Sequence, residues 1–78
     1  MTTLTLYGTP DCHLCDEARA VLERVRERCP FELLERDITE DDELLRAYFE
    51  RIPVVAIDGE DAFELIVDER RLLDRLAR

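Results

Sequence analysis

The chain has 78 residues, of which 46% are apolar and 40% are charged, so it can fill one small hydrophobic core and we expect a single domain over residues 1–78. Its 20 acidic and 11 basic residues give a net charge of -9 at pH 7, which opposes binding to nucleic acid or to an anionic membrane surface. No apolar stretch approaches the ~20 residues that cross a bilayer, and residues 1–7 lack the basic and apolar segments of a secretory signal, so we expect a cytoplasmic protein.

The first part of the chain predicts a strand, a helix and a second strand. Residues 4–7 form a short β-type run that ends at a Gly-Thr-Pro loop, where Gly8 permits a turn. Apolar residues between Leu14 and Val25 recur at helical spacing, which predicts a first helix that Pro30 must stop. The aromatic and aliphatic content of residues 31–38 favours a second strand.

The acidic segment that follows predicts the start of another helix. Thr39 precedes a run of carboxylates, so its hydroxyl is expected to be the N-cap and the carboxylates are expected to favour the positive end of the helix dipole. This second helix is predicted from about residue 40, with three side chains facing inward: Leu44, Leu45 and Tyr48.

The last part of the chain predicts a β-hairpin and a third helix. Residues 53–57 are a continuous apolar strand, Asp58-Gly59 is a hairpin turn signal, and residues 63–67 are expected to return as the partner strand. Asp68 is predicted to cap a last helix with one apolar stripe. The predicted order is therefore β-α-β-α-β-β-α, and the stripe consists of Leu72, Leu73 and Leu76.

Two of the three cysteines stand at the predicted junction of the first strand and first helix, as Cys12-His13-Leu14-Cys15. In a chain without an export signal, an odd number of cysteines favours reactive thiols over a disulfide framework. At a helix N-terminus the free N–H groups and the dipole stabilise an anion, so Cys12 is expected to ionise below the ~8.5 of a free thiol and to act as the nucleophile. Cys15 lies on the same helical face, so we expect it to resolve a mixed disulfide held on Cys12.

Other uses of this motif stay open from the residues alone. Two buried small side chains, or half of a zinc site, would show the same spacing, but zinc takes about four ligands. His13 is expected to point away from the pair, and Cys29 is ~21 Å along the helix; Cys29 is assigned no catalytic role.

A copper chaperone would have the order β-α-β-β-α-β, which the second helix contradicts. The alternative function is a non-catalytic module in which the motifs of two chains hold a metal or an iron-sulfur cluster.

Residues 6–15, Leu-Tyr-Gly-Thr-Pro-Asp-Cys-His-Leu-Cys, and the later Ile52-Pro53 pair resemble the glutaredoxin-like branch of the thioredoxin superfamily. The resemblance covers nearly the whole chain. It implies an α/β fold of the thioredoxin/glutaredoxin type with a four-stranded mixed sheet flanked by helices. It also implies a thiol-disulfide oxidoreductase with Cys12 and Cys15 as catalytic residues, without a cofactor or a metal. Pro53 would be a cis-proline that faces the sulfurs and, with Ile52, shapes the substrate groove. The Cys-His-Leu-Cys centre is similar to that of small bacterial glutaredoxin-like proteins.

The chain departs from typical glutaredoxins at the segments that hold glutathione. Arg51-Ile52-Pro53 stands in place of Thr-Val-Pro, and residues 64–67 replace the Gly-Gly pair, which leaves only Asp68 as a match. Bulky side chains crowd the close backbone approach that glycine permits. We therefore expect weak glutathione dependence. The expected partners are protein or small-molecule disulfides and a reductant, either glutathione or a thioredoxin-reductase-like donor.

Two further residues are candidates for the substrate site. His13 changes charge near neutrality, and a charged imidazole beside Cys12 would stabilise the thiolate, whereas the neighbouring carboxylates Asp11, Asp16 and Glu17 would oppose it. The sign of the net effect stays open. Arg51 is either solvated or bound to a substrate carboxylate beside Pro53.

Overall fold

The computed structural model describes residues 1–77, and within them the element order is the predicted β-α-β-α-β-β-α. A short 3-10 turn, Ile38–Glu40, is inserted before the second helix. None of the helices in residues 1–77 is long and apolar enough to span a bilayer. The elements are β1 Thr3–Gly8, α1 His13–Arg28, β2 Glu32–Asp37, α2 Asp42–Tyr48, β3 Val54–Ile57, β4 Glu60–Glu64 and α3 Glu69–Leu76.

The four strands form one mixed sheet in the order β2-β1-β3-β4. The crossover through α1 makes β1 and β2 parallel, whereas β1 with β3 and β3 with β4 are antiparallel. Tyr7 of β1 pairs with Val54 of β3, and Gly8 pairs with Asp37 of β2. The end of β1, which leads to the cysteine motif, therefore lies beside the start of β3.

The core lies on the face of the sheet that α1 and α3 cover. Alternate residues of β1 point into it, and α1 contributes one stripe at helical spacing, as its sequence pattern predicts. Full burial of each large apolar side chain contributes about 1.5–3 kcal/mol. These helices are thus held firmly on the sheet that carries the cysteine motif. The buried residues are Leu4, Leu6, Ala18, Leu22, Val25, Phe31, Val55, Val67 and Leu72.

The start of α2 differs from the prediction. Asp41, not Thr39, is the N-cap, since its Oδ1 accepts from the N–H groups of Glu43 (2.9 Å) and Leu44 (3.3 Å). Thr39 lies in the 3-10 turn, where its hydroxyl donates to Asp37 Oδ1 at 2.6 Å. The 3-10 turn contains residues that the prediction assigned to the start of the helix. Threonine and aspartate side chains can both act as caps, and here they are two residues apart, so the sequence pattern suggested the earlier one.

The inward face predicted for α2 is also mostly wrong. The helix has only seven residues and buries none of them. Leu45 is exposed, while Leu44 and Tyr48 are half-buried. A short helix on the less covered face of the sheet has no second helix to pack against, so its apolar residues make only partial contacts.

The hairpin turn lies at Asp58-Gly59 as predicted, but the second strand of the hairpin begins earlier than predicted. Asp58 (φ 49°) and Gly59 (φ 89°) form a two-residue turn, so pairing resumes at once between Ile57 and Glu60. β4 therefore spans Glu60–Glu64 rather than residues 63–67, and Leu65 (φ 66°) ends it. In contrast, the predicted cap of α3 is confirmed: Asp68 Oδ1 accepts from the N–H of Arg71 at 3.1 Å.

Candidate functional site

The Cys12–Cys15 pair stands at the first turn of α1 and is joined as a disulfide, with the Cα atoms 5.1 Å apart. Cys12 is the N-cap, and its Sγ accepts a hydrogen bond from the backbone N–H of Cys15 at 3.1 Å. Cys12 is half-buried, whereas Cys15 is only 1% exposed. Cys12 is therefore the more exposed of the two sulfur-bearing residues, and the N–H that faces it is a group that stabilises negative charge on its sulfur.

Gly8 has a function that the sequence reasoning missed. A Cβ on this residue would lie 2.6 Å from Cys15 Sγ and 3.2 Å from Cys15 Cβ. The glycine is the last residue of β1 and has no positive φ, so it is needed for close approach of the cysteine rather than for a turn. A glycine at the end of a strand pattern, just ahead of a cysteine motif, is a signal that could have indicated this contact.

The Ile52–Pro53 peptide bond is cis, as the resemblance implied, and Pro53 is buried. It directly precedes Val54, the partner of Tyr7, so it lies at the end of the sheet where β1 finishes. Gly8 adjoins Cys15 at this same end. The strand register thus brings the proline and the cysteine pair to one edge of the sheet.

Ile52 leaves its main chain available beside the cysteines. Within residues 1–77, no group of the protein forms a hydrogen bond with its N–H or its C=O. The flanking residue Pro53, by contrast, uses its carbonyl to accept from the N–H of Leu65 at 2.8 Å. An unpaired N–H and C=O on one residue can form main-chain hydrogen bonds with a bound peptide, as a sheet edge does with an added strand.

Arg51 is already paired within the protein. Its Nε donates to Glu64 Oε1 at 2.6 Å, and its NH2 group contacts Asp61 Oδ2 at 3.1 Å. The hydrogen bond to Glu64 is the main cause that raises the pKa of Arg51 above its usual value. A substrate carboxylate would have to displace one of these two partners.

His13 is exposed to solvent, and Asp68 has a structural role as a helix cap. The His13 side chain is 87% exposed, and its Nε2 is 3.8 Å from Glu17 Oε1. One carboxylate oxygen of Asp68 accepts a hydrogen bond from the N-terminus of α3. Their predicted roles in substrate binding stay predictions. Cys29 is the C-cap at the far end of α1, and residues 1–77 contain no cluster of three or more histidine, cysteine or acidic side chains that could hold a metal.

An apolar surface adjoins the cysteine motif where the glycine pair of typical glutaredoxins would be. Leu14, Leu65 and Ile66 are all exposed, Ile66 at 73%. A groove of about 80 Å³ runs between α1 and this segment. Glu17 is the acidic residue that lines this groove, and no basic residue within residues 1–77 lines it. This groove is thus mainly apolar, with one acidic side chain.

Residues 3–77 match the model of a protein family that is described as "Glutaredoxin-like domain (DUF836)". No curated protein matches the chain. Two solved structures are similar over 95% of it. Protein Ne2328 from Nitrosomonas europaea is 28% identical, with 89% of that chain covered and a TM-score of 0.84. Protein XcR50 from X. campestris is 34% identical, with 95% of that chain covered and a TM-score of 0.80.

A thioredoxin is also among the similar structures. A point mutant of thioredoxin from Halobacterium salinarum is 26% identical over 96% of this chain and 71% of that chain, with a TM-score of 0.69. The fold is therefore the thioredoxin fold, and the predicted fold class is confirmed. A glutaredoxin-like domain of this fold with a paired Cys12 and Cys15 supports a redox role in general.

Proposed function

The chain belongs to the Glutaredoxin-like domain (DUF836) family, and on this premise we propose that it is a thiol-disulfide oxidoreductase that cycles between a Cys12/Cys15 dithiol and a disulfide. The observation that carries the proposal is the asymmetry of the pair. Cys12 is the accessible sulfur and accepts the Cys15 N–H, whereas Cys15 is buried one helical turn behind it. The accessible sulfur attacks substrates, and the buried one reacts only within the protein.

Reduction of a substrate proceeds in two exchange steps. The Cys12 thiolate attacks one sulfur of the substrate disulfide, a bond forms between them, and the other half of the substrate leaves as a thiolate. Cys15, as its thiolate, then attacks Cys12 Sγ, which forms the internal disulfide and releases the second half. Two electrons pass from the pair to the substrate. A thiol donor returns the protein to the dithiol by the reverse exchange.

The Ile52–Pro53 segment supports a substrate that is a peptide disulfide. Its free N–H and C=O at Ile52 lie at the sheet edge that carries the cysteines. Main-chain hydrogen bonds there would align the cysteine of a bound peptide with Cys12 without requiring a particular side chain. The proposed substrates are therefore proteins with accessible disulfides.

Glutathione is proposed to be a poor reductant. The tripeptide is anionic, and the chain carries a net charge of -9. Arg51, beside the proline, is paired with Glu64 and Asp61, and Arg19, which lines a pocket with Cys15, is paired with Glu35 and Asp16. Residues 64–67, which include the exposed Leu65 and Ile66, stand where the resemblance places the glycine pair. A thioredoxin-reductase-like donor is the proposed alternative, and a compartment that keeps the pair reduced, such as the cytoplasm, suits this chemistry.

The direct test is dithiothreitol-driven reduction of a peptide disulfide by the wild type and three serine variants. Cys12→Ser is expected to abolish turnover. Prereduced Cys15→Ser from which dithiothreitol has been removed is expected to stop after one exchange, with a mixed disulfide on Cys12 that mass spectrometry detects, because no dithiol is left to release it. Cys29→Ser is the matched control and should retain full turnover. Wild-type protein that shows no turnover, or that purifies with the visible absorption of an iron-sulfur cluster, would instead favour the cluster-binding alternative.

A further inference from the structure

Arg51 connects β4 with α2 beside the proline segment and, through Tyr48, reaches β1. In addition to its two carboxylate partners on β4, its NH1 group donates to the carbonyl of Ala47 at 3.2 Å. Its guanidinium lies over the ring of Tyr48, 5.1 Å from the ring centroid. Tyr48 in turn stacks on Tyr7 of β1, with 4.6 Å between centroids, and donates its hydroxyl to Asp61 at 3.1 Å. The network therefore spans β1, α2 and β4.

The same network reaches the main chain around the cis-proline. The N–H of Arg51 donates to the carbonyl of Tyr48 at 2.7 Å. The N–H of Leu65, the residue after Glu64, is shared between the carbonyls of Pro53 (2.8 Å) and Arg51 (3.2 Å). Glu64 thus binds the side chain of Arg51, and the next residue, Leu65, binds the main-chain carbonyls of Arg51 and Pro53. Ile52, between them, is left with its own N–H and C=O unpaired.

The network is poorly suited to a role in stability alone. The side chains of Arg51, Asp61 and Glu64 are 37%, 36% and 48% exposed, and ion pairs at such positions contribute little to folding. All three nitrogens of the guanidinium already have partners, so it has no free edge for a bidentate carboxylate. What these contacts do accomplish is to restrict the segment that precedes Pro53.

We propose that Arg51 is a positioning residue, which through Glu64 and Asp61 fixes the Ile52–Pro53 segment so that the main chain of Ile52 can bind a peptide disulfide. This inference rests on the proposed function of the site. It assigns Arg51 a role in the recognition of peptide main chain, irrespective of whether the peptide carries a carboxylate.

The test compares three disulfides in single-turnover reactions with the reduced protein. The first is a peptide disulfide without acidic residues and with an amidated C-terminus. The second is the same peptide with one aspartate next to the cysteine, and the third is dithiodipyridine, a small neutral disulfide with no peptide main chain. The variants are Arg51→Met, Arg51→Lys and Glu64→Gln. Arg24→Met is the matched control, because Arg24 forms an exposed pair with Glu69 at 2.9 Å and lies about 14 Å along α1 from Cys15 and farther from Cys12.

Arg51→Met is expected to slow both peptides equally, by about tenfold at low peptide concentration, through a higher half-saturating concentration of peptide, since misplacement of a binding segment weakens alignment of the reacting atoms. Its rate with dithiodipyridine should stay within about twofold of the wild type. Arg51→Lys should restore little, because an ammonium cannot replace the three-sided contacts of a guanidinium. Glu64→Gln keeps an acceptor for the Nε of Arg51 and should retain more than half of the wild-type rate with both peptides. The amide of Leu65 should exchange its hydrogen faster in Arg51→Met than in Arg24→Met.

Three results would overturn the inference. Slowing of the aspartate peptide alone would make Arg51 a carboxylate-binding residue, and equal slowing of all three disulfides would make it a residue of general structure. Peptide rates equal to those of Arg24→Met would remove any role. Failure of the proposed function is distinct from these, because wild-type protein would then reduce neither peptide.

Discussion

At the scale of single residues, Cys12 and Cys15 differ in the surroundings of their sulfur atoms. Cys12 is accessible at the start of α1 and faces an N–H, whereas Cys15 is 1% exposed behind it. Iodoacetamide should therefore alkylate Cys12 of the reduced protein roughly tenfold faster than Cys15, because the thiolate is the reactive form and access limits the buried sulfur. Peptide mapping by mass spectrometry measures both rates. Faster labelling of Cys15 would reverse the proposed roles of the two residues.

Gly8 leads to a second prediction at this scale. Replacement by alanine places a methyl group 2.6 Å from Cys15 Sγ, so the strand or the helix start must move. We expect Gly8→Ala to lower the free energy of unfolding by about 1–3 kcal/mol, the usual cost of overpacking, and to slow disulfide exchange.

The control for Gly8 is Gly59→Asn, in the hairpin turn. Gly59 has φ 89° and open space around its Cα, and asparagine tolerates a left-handed backbone, so this change should cost less. Urea unfolding of both variants provides the comparison. An alanine at position 8 that is as stable as the wild type would show that Cys15 can shift without cost.

At the scale of secondary-structure elements, the two candidate caps of α2 can be separated by experiment. Asp41 accepts from two N–H groups of the helix, whereas Thr39 bonds only to Asp37. Asp41→Ala should therefore lower the free energy of unfolding by about 1 kcal/mol, the usual value of an N-cap. Thr39→Ala should have a smaller effect. A larger loss for Thr39→Ala in denaturant unfolding would restore the cap that the sequence predicted.

The elements also show which features a sequence can reveal. The α1 stripe, the apolar β3 and the Asp68 cap depend on local patterns, and the structure confirms them, except that Leu14, the first residue of the predicted stripe, is exposed. The bounds of β4 were missed because the apolar run over residues 63–67 suggested a strand, whereas the tight turn at Asp58 and Gly59 starts pairing three residues earlier.

The partners of Arg51 were not predictable in the same way. Asp61 and Glu64 are 10 and 13 residues away in the chain, and only the hairpin register brings them to the guanidinium. The cysteine pair could be located because its chemistry depends on two residues of one helical turn. The surroundings of Pro53 depend on tertiary contacts that no local pattern encodes.

At the scale of the whole molecule, charge and apolar surface act together on the choice of substrate. The net charge is -9, and the exposed side chains Leu14, Leu65 and Ile66 lie beside the cysteine motif. An acidic protein repels anionic ligands, while apolar surface next to the reactive sulfur favours contact with another protein. Both features support the proposal that the substrates are protein disulfides rather than glutathione mixed disulfides.

Glutathione-driven turnover tests this conclusion. With a peptide disulfide as substrate, turnover with glutathione should be at least about tenfold slower than with dithiothreitol, since one missing charge-assisted hydrogen bond is worth about 1.5–3 kcal/mol. The double variant Leu65→Gly/Ile66→Gly should narrow the gap by allowing closer backbone approach, and Leu65 already has a φ of 66° that glycine adopts readily. Leu45→Gly, a change at an exposed leucine of α2, is the control and should leave the ratio unchanged. If the wild type uses glutathione as well as it uses dithiothreitol, the bulky segment before α3 does not exclude the tripeptide, and the protein works as an ordinary glutaredoxin.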